Sequence, residues 1–313
     1  MAAAKLTGQH WPKWNCNKAR LKPERIIIIG TGRLGCNCLE SCLECSLPVS
    51  CLESERQPFS PLASMCRKRG VEYRQTFERD PLTDFFLGIT QPTLVVSAFN
   101  NYIFPAQVLE NPALNVINFH NALLPRHRGR NAATWRIFEQ DTVTGITWHQ
   151  VKSKVDTGDI IAEKQISIAN DMTALDLSLK TLEVAAEAFR EILPSLLKNS
   201  YFARPVSWNN GASYHRSTDV PNGGWLDLNW SLDKAYAWLR SLDYGKFKVL
   251  PGPRLRVLGY EFNVTAYQLM RRDTLDTQPG IFVEFTGNTL IMRSSEVELL
   301  MSCESAKPVL KNE

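Results

Sequence analysis

Short unbroken apolar runs alternate with amphipathic stretches through the first 200 residues. Residues 25–30 (RIIIIG) have the continuous apolar character of a strand buried on both faces of a parallel sheet. Similar runs at 49–52, 71–73, 93–98 and 116–119 predict four further strands. Between them the period lengthens to that of helices, at 33–46, at 61–70 with Gly70 as its stop, at 82–87 and at 105–110. A helix at 132–139 follows, then strands at 145–151 and 160–168, the first alternating with period two. A long amphipathic helix at 173–197 turns Leu175, Leu179, Leu182, Ala186, Phe189 and Leu193 to one side. Alternation of this kind predicts an α/β fold with a Rossmann-like, mostly parallel sheet.

The pattern changes after residue 200, where Asn, Gly, Ser, Tyr and Pro predominate and a linker is expected over 201–224. A helix at 231–242 opens on Ser231, a good capping residue. Short strands then recur at 254–260, 262–268, 280–285, 289–292 and 296–301, which argues for a small β-barrel or sandwich. The expected organisation is a basic tail over 1–23, a catalytic domain over 24–200, the linker, and a β domain over 225–313.

Composition narrows the classes. The 313 residues suffice for two domains, and 44% apolar residues suit a packed globule. A net charge of +4 is too mild to indicate nucleic acid by itself. No apolar run approaches the roughly 20 residues that span a bilayer, and no signal-peptide core follows the start, so a cytoplasmic protein without a membrane partner is expected. The tail, with five Lys/Arg and no acidic residue, reads as disordered. Six of the eight cysteines fall between Cys36 and Cys66. Cys38, Cys42 and Cys45 share helical spacing with Leu34 and Leu39, so they read as core or surface thiols rather than metal ligands.

The candidate chemistry lies at 115–161. Asn118 and His120 sit two apart at the end of a predicted strand, so both side chains leave the same face. Asp156 follows 36 residues later, in the turn Val155-Asp156-Thr157-Gly158. An amide and an imidazole can donate to an oxyanion, and an imidazole with a carboxylate can move protons, which suits acyl transfer. Singly, each has a plainer reading as a strand-end cap, a buried histidine or a turn residue.

Five pieces stand in order: Asn118-Phe119-His120, Leu123-Leu124-Pro125, Arg128-Gly129, Gly145-Ile146-Thr147 and Asp156-Thr157-Gly158-Asp159-Ile160. This set resembles the 10-formyltetrahydrofolate-dependent formyltransferase superfamily, loosely from about residue 25 to about residue 305. The resemblance implies a catalytic Asn118, His120 and Asp156, and an OB-like C-terminal β domain. It implies 10-formyltetrahydrofolate as co-substrate, with a folate pocket drawing on Phe99, Leu123, Leu124, Pro125, Val155 and Asp156, and no metal. His127 reads either as part of a solvated basic loop, with Arg126 and Arg128, or as a contact to an anion of substrate or donor. Trp135 reads as core packing or an acceptor wall, Trp148 as packing, and His149 as a possible lining of the cleft.

The acceptor is less legible. Methionyl-tRNA formyltransferases carry a basic insertion and a basic linker for tRNA. Here 36–55 holds no Lys or Arg, and 199–224 holds only Arg204 and Arg216. The chain looks more like the formyltransferases of secondary metabolism, whose acceptors are amines or hydroxylamines of small molecules, amino sugars, siderophore precursors or carrier-bound aminoacyl groups. A competing signal is Gly30-Thr31-Gly32-Arg33-Leu34-Gly35, a G-x-G-x-x-G after a strand, with Glu53 and Glu55 about 20 residues on. By itself it predicts an NAD(P)-binding oxidoreductase, or a phosphate held at the helix N-terminus.

Overall fold

The computed structural model describes residues 21–56, 59–208, 211–257, 259–271 and 282–308. Most of the expected basic tail and the start of the strand expected at 280–285 lie outside these residues. Two compact units interleave along the chain. The first runs to Phe119 and adds Thr147–Glu163 and Ala186–Ser207; the second comprises His120–Ile146, Lys164–Ala185 and the residues from Trp208 onward.

In chain order the elements begin β1 (Arg25–Gly30), α1 (Gly32–Leu43), β2 (Val49–Glu53), α2 (Pro61–Arg69), β3 (Glu72–Gln75), α3 (Arg79–Leu87), β4 (Thr93–Ala98), α4 (Ala106–Leu109) and β5 (Leu114–His120). After β6 (Arg128–Gly129) and α5 (Ala132–Phe138) come β7 (Val143–Gln150), β8 (Ile160–Ser167) and α6 (Ala174–Leu197). Seven strands form one sheet in the order β3-β2-β1-β4-β5-β7-β8. The pairs β2/β3, β1/β2, β1/β4 and β4/β5 are parallel, as the apolar runs predict. Every residue of β4 is buried, which is why TLVVSA alternates so little.

Local signals set the helix ends. Ser60 Oγ accepts from the Ala63 N–H at 2.9 Å, Pro61 opens α2, and Gly70 closes it at φ 67. Such a cap is worth about 1 kcal/mol. Helix α3 starts at Arg79, three residues before the expected 82, because its polar first turn carries no apolar period. The buried stripe of α6 also differs in part from expectation. Ala186, Phe189 and Leu193 are buried as expected and Leu175 and Leu182 half-buried, but Leu179 is exposed, and Ala174, Leu177, Thr181, Ala185, Ala188 and Leu196 complete the buried side. One core joins Ile27, Ile29, Leu52, Phe86, Val95 and Val108. Trp148 is fully buried beside Phe119 and Phe189, with ring centroids at 5.8 and 5.2 Å. Cys38, Cys42, Cys51 and Cys66 are buried, free thiols.

In the second unit, β9 (Tyr214–His215), helix α7 (Leu232–Ser241), β10 (Arg254–Val257), β11 (Tyr260–Arg271), β12 (Phe282–Thr286), β13 (Thr289–Arg293) and β14 (Val297–Pro308) follow. Five of them make an antiparallel sheet in the order β10-β11-β14-β13-β12. Its core gathers Trp238, Leu239, Leu255, Leu290, Met292, Leu299 and Met301. β11 and β14 are longer than the sequence suggests, because β11 continues through residues that are largely exposed. The expected linker is not wholly irregular: its Tyr214–His215 pairs in parallel with Arg128–Gly129. Among the described residues, no helix is long and apolar enough to cross a membrane.

Candidate active site

Strand β5 delivers Asn118 to the end of the sheet, where hydrogen bonds fix its amide. Asn100 Nδ2 donates to Ser97 Oγ, and Ser97 Oγ donates to Asn118 Oδ1 at 2.5 Å. The Asn118 oxygen is thereby identified, and its Nδ2 is left to donate. One N–H goes to the Phe119 carbonyl at 2.9 Å and the other faces His149 Nε2 at 3.2 Å.

His149 stands near the end of β7 and is 2% exposed. Its Nδ1 lies 2.8 Å from the Gln150 carbonyl, which can only accept, so Nδ1 carries a hydrogen. Its Nε2 is therefore left to face its other neighbours and lies 3.4 Å from Asp156 Oδ1. Asp156 is 8% exposed and takes φ 51, a left-handed conformation that Asp and Asn tolerate best among residues with a side chain. The turn carrying it is closed by Gln150 N–H to the Asp159 carbonyl at 2.9 Å and Thr157 Oγ1 to the Lys154 carbonyl at 2.7 Å. A Cβ at Gly158 would run into the Gln150 carbonyl, which accounts for glycine in Asp-Thr-Gly-Asp. In the first unit, then, an amide, an imidazole and a carboxylate meet at one ring nitrogen. A nitrogen that faces both an amide N–H and a carboxylate can accept from the first or share a proton with the second.

His120, 4% exposed, belongs to the second unit. Its Nε2 is 3.0 Å from the carbonyl of His127, so Nε2 carries the hydrogen and Nδ1 is the nitrogen whose protonation can change. His127 is fully buried, not part of a solvated loop. Burial first, then the nearby Arg136 and Arg126 and the rings of His215 and His120, push its pKa down to about 2. Its contacts to Asp141 at 3.4 Å and Glu139 at 3.6 Å are therefore those of a neutral ring. His127 Nδ1 lies 3.2 Å from His215 Nε2, with ring centroids 5.4 Å apart, so the rings meet edge to edge through these nitrogens. His215 in turn stacks flat on half-buried Trp135 at 4.2 Å and 9°. The Arg128 guanidinium carbon lies 5.1 Å from the Trp208 ring centroid and 5.7 Å from that of Tyr214.

Ligand atoms of His127, Glu139 and His215 fall within 4.8 Å of one another, a spacing a cation can use. Arg126 already contacts both neighbouring carboxylates, Glu139 at 3.2 Å and Asp141 at 3.0 Å, and His127 is bonded to His215. The group is thus a charge-neutralised hydrogen-bond network. The glycine fingerprint at 30–35 also has another use. A Cβ at Gly30 would strike the Ala98 carbonyl, so strand packing demands that glycine. Glu53 is 2% exposed and accepts from Tyr73 Oη at 2.5 Å, turned inward rather than toward a ribose.

Of the remaining residues expected at the site, Phe99 is 53% exposed at φ 62, Leu124 is buried next to a cis bond to Pro125, and Leu123, Pro125, Arg128 and Val155 are half-buried. Sequence reasoning missed the amide-fixing role of Ser97 and Asn100, and missed Ser213 and His215 altogether. A polar pair two residues after a strand end is the only local trace of the first; the second pair lies 86 and 88 residues from its partner and has none.

A family model described as formyl transferase matches residues 37–193. The chain is 35% identical over 141 residues to a methionyl-tRNA formyltransferase of Acetivibrio thermocellus, covering 45% of this chain and 44% of that one. It is 30% identical over 183 residues to that of Myxococcus xanthus, covering 55% and 58%. The chain thus spans about half the length of the curated relatives it matches. In fold it is similar to an N-formyltransferase of Helicobacter canadensis solved with folinic acid and dTDP-3-aminofucose, with a TM-score of 0.71, 15% identity, and coverage of 90% of this chain and 99% of that one.

Proposed function

This chain belongs to the formyl transferase family, and we propose that it moves a formyl group from 10-formyltetrahydrofolate to an amine. The observation that carries this reading is the convergence of Asn118, His149 and Asp156 on one ring nitrogen, inside the stretch matched to the family. In the reaction the amine attacks as its free base, and a new C–N bond forms at the formyl carbon. The formyl oxygen takes negative charge. The bond to N10 of the folate then breaks, and the proton lost by the amine ends on N10.

Asp156 receives that amine proton and shares it with His149 Nε2. Protonated, His149 Nε2 no longer accepts from Asn118, and the released Nδ2–H turns to the developing oxyanion. Proton uptake and oxyanion stabilisation are thereby coupled. His120 leaves the same face of β5 as Asn118 by strand alternation. With Nε2–H held by the His127 carbonyl, it donates to the oxyanion through Nδ1, as an imidazolium. Each such donor contributes about 3–4 kcal/mol to the transition state. The folate-binding roles of Phe99, Leu123, Leu124, Pro125 and Val155 belong to the same proposal; a large ring as exposed as Phe99 at a left-handed backbone position supports them.

The acceptor in this proposal is an amine or hydroxylamine of a small molecule or a carrier-bound aminoacyl group. The scarcity of Lys and Arg over 36–55 and 199–224 supports this, as does the amino-sugar nucleotide bound by the Helicobacter canadensis protein. Methionyl-tRNA is the second reading, favoured by the names of the two curated relatives. Thermal denaturation with added ligand tests the co-substrate. A formyl-folate analogue raises Tm by mass action, and NAD and NADP do not. Stabilisation by the dinucleotides alone overturns the reading.

A further inference from the structure

We propose that Ser213 and His215, from the segment that reads as a linker, are positioning residues for His120: they hold the His127 carbonyl that selects which ring nitrogen of His120 takes part in the reaction. The inference rests on the formyl-transfer reading only for what His120 does, not for how it is held.

The chain of contacts lies within the second unit. His120 Nε2–H donates to the His127 carbonyl at 3.0 Å. That carbonyl is aimed by a backbone at φ 52, which a residue with a Cβ adopts only when its surroundings over-determine it. Three contacts do so. The His127 N–H donates to Ser213 Oγ at 2.7 Å. His127 Nε2 lies 3.4 Å from Asp141 and 3.6 Å from Glu139 without a hydrogen bond to either, and the negative charge of these carboxylates favours the hydrogen on Nε2, which leaves Nδ1 bare. The bare Nδ1 accepts from His215 Nε2 at 3.2 Å. The backbone on either side is pinned as well, Arg128 N–H to the Ser213 carbonyl at 3.1 Å and Arg130 N–H to the His215 carbonyl at 2.9 Å. A Cβ at Gly129 would strike the His215 carbonyl, so only glycine lets β6 and β9 approach this closely. His215 keeps its place by stacking on Trp135.

This path makes a donor at position 215 the requirement, not an imidazole as such. His215→Phe keeps a ring over Trp135 and loses the donor; His215→Gln keeps a donor; Ser213→Ala removes only the acceptor for the His127 N–H. Two-bond ¹H–¹⁵N correlations of the full-length, ¹⁵N-histidine-labelled protein report the tautomer and titration of His120, assigned by its loss in His120→Gln. The proposal expects the Nε2–H tautomer in the unaltered protein. Ser213→Ala and His215→Phe should give mixed tautomers and a displaced midpoint, His215→Gln should restore both, and kcat should fall roughly ten- to a hundredfold in the first two with the folate KM unchanged. An unchanged His120 tautomer and midpoint in both Ser213→Ala and His215→Phe overturns it; if His215→Phe does not fold, Ser213→Ala decides alone. Tautomer changes as expected in a protein that forms no formyl adduct uphold this inference while defeating the activity.

Discussion

His149 Nε2 stands 3.4 Å from Asp156 Oδ1, and both side chains are more than nine-tenths buried. At this separation, with Nδ1 already bonded to the Gln150 carbonyl, Nε2 is the nitrogen that can share a proton with the carboxylate during the reaction. Asp156→Asn isolates that proton. Asn tolerates the left-handed backbone at 156, so the fold is retained, but an amide cannot take the amine proton. The expected outcome is a fall in formyl-transfer kcat of roughly 10²- to 10⁴-fold, with circular dichroism unchanged. Full activity in this variant removes Asp156 from the proton path.

Acid should unfold the protein through His127. Its folded pKa lies near 2, below the ordinary value of 6.5 that the unfolded chain recovers. Between these limits the unfolded chain binds a proton that the folded protein refuses. Stability is therefore fully present above about pH 6.5 and declines as pH falls, by about 1.4 kcal/mol per pH unit for one proton. His215, also lowered by burial, adds in the same direction. Urea midpoints of the protein and of His127→Phe between pH 7 and pH 5 check this: the variant should show a flatter dependence, by about one proton.

Much of the framework is visible in the chain because its physics is local. RIIIIG at 25–30 can hardly be other than a strand covered on both faces, and Ser60, Pro61 and Gly70 mark α2 at both ends. Asn118 and His120 declare their common face by spacing alone. The structure adds what spacing cannot carry. His149 reads as a possible cleft residue, yet its partners are Asn118, 31 residues away, and Asp156. The pairing of β6 with β9 is two residues long, too short for any period to appear. His127 sits between two arginines and so reads as solvated; it is buried because Asp141 and Glu139 take up the charge of Arg126.

The interior of the first unit depends on Trp148, which fills the space between Phe119 and Phe189. Trp148→Ala leaves a cavity that such rings cannot collapse to fill. It should cost about 3–5 kcal/mol, read as a lower denaturation midpoint. A loss below about 1 kcal/mol would mean that the space relaxes far more than these contacts imply.

The most direct measurement is incubation of the protein with 10-formyltetrahydrofolate and a panel of amines, amino-sugar nucleotides, carrier-bound aminoacyl groups and methionyl-tRNA, followed by mass spectrometry of the acceptors. A formyl adduct on an acceptor, with matching release of tetrahydrofolate and loss of both in His120→Ala and Asp156→Asn, is the predicted result. Formylation that persists in both variants, or a folded protein that formylates no member of the panel, would contradict the account.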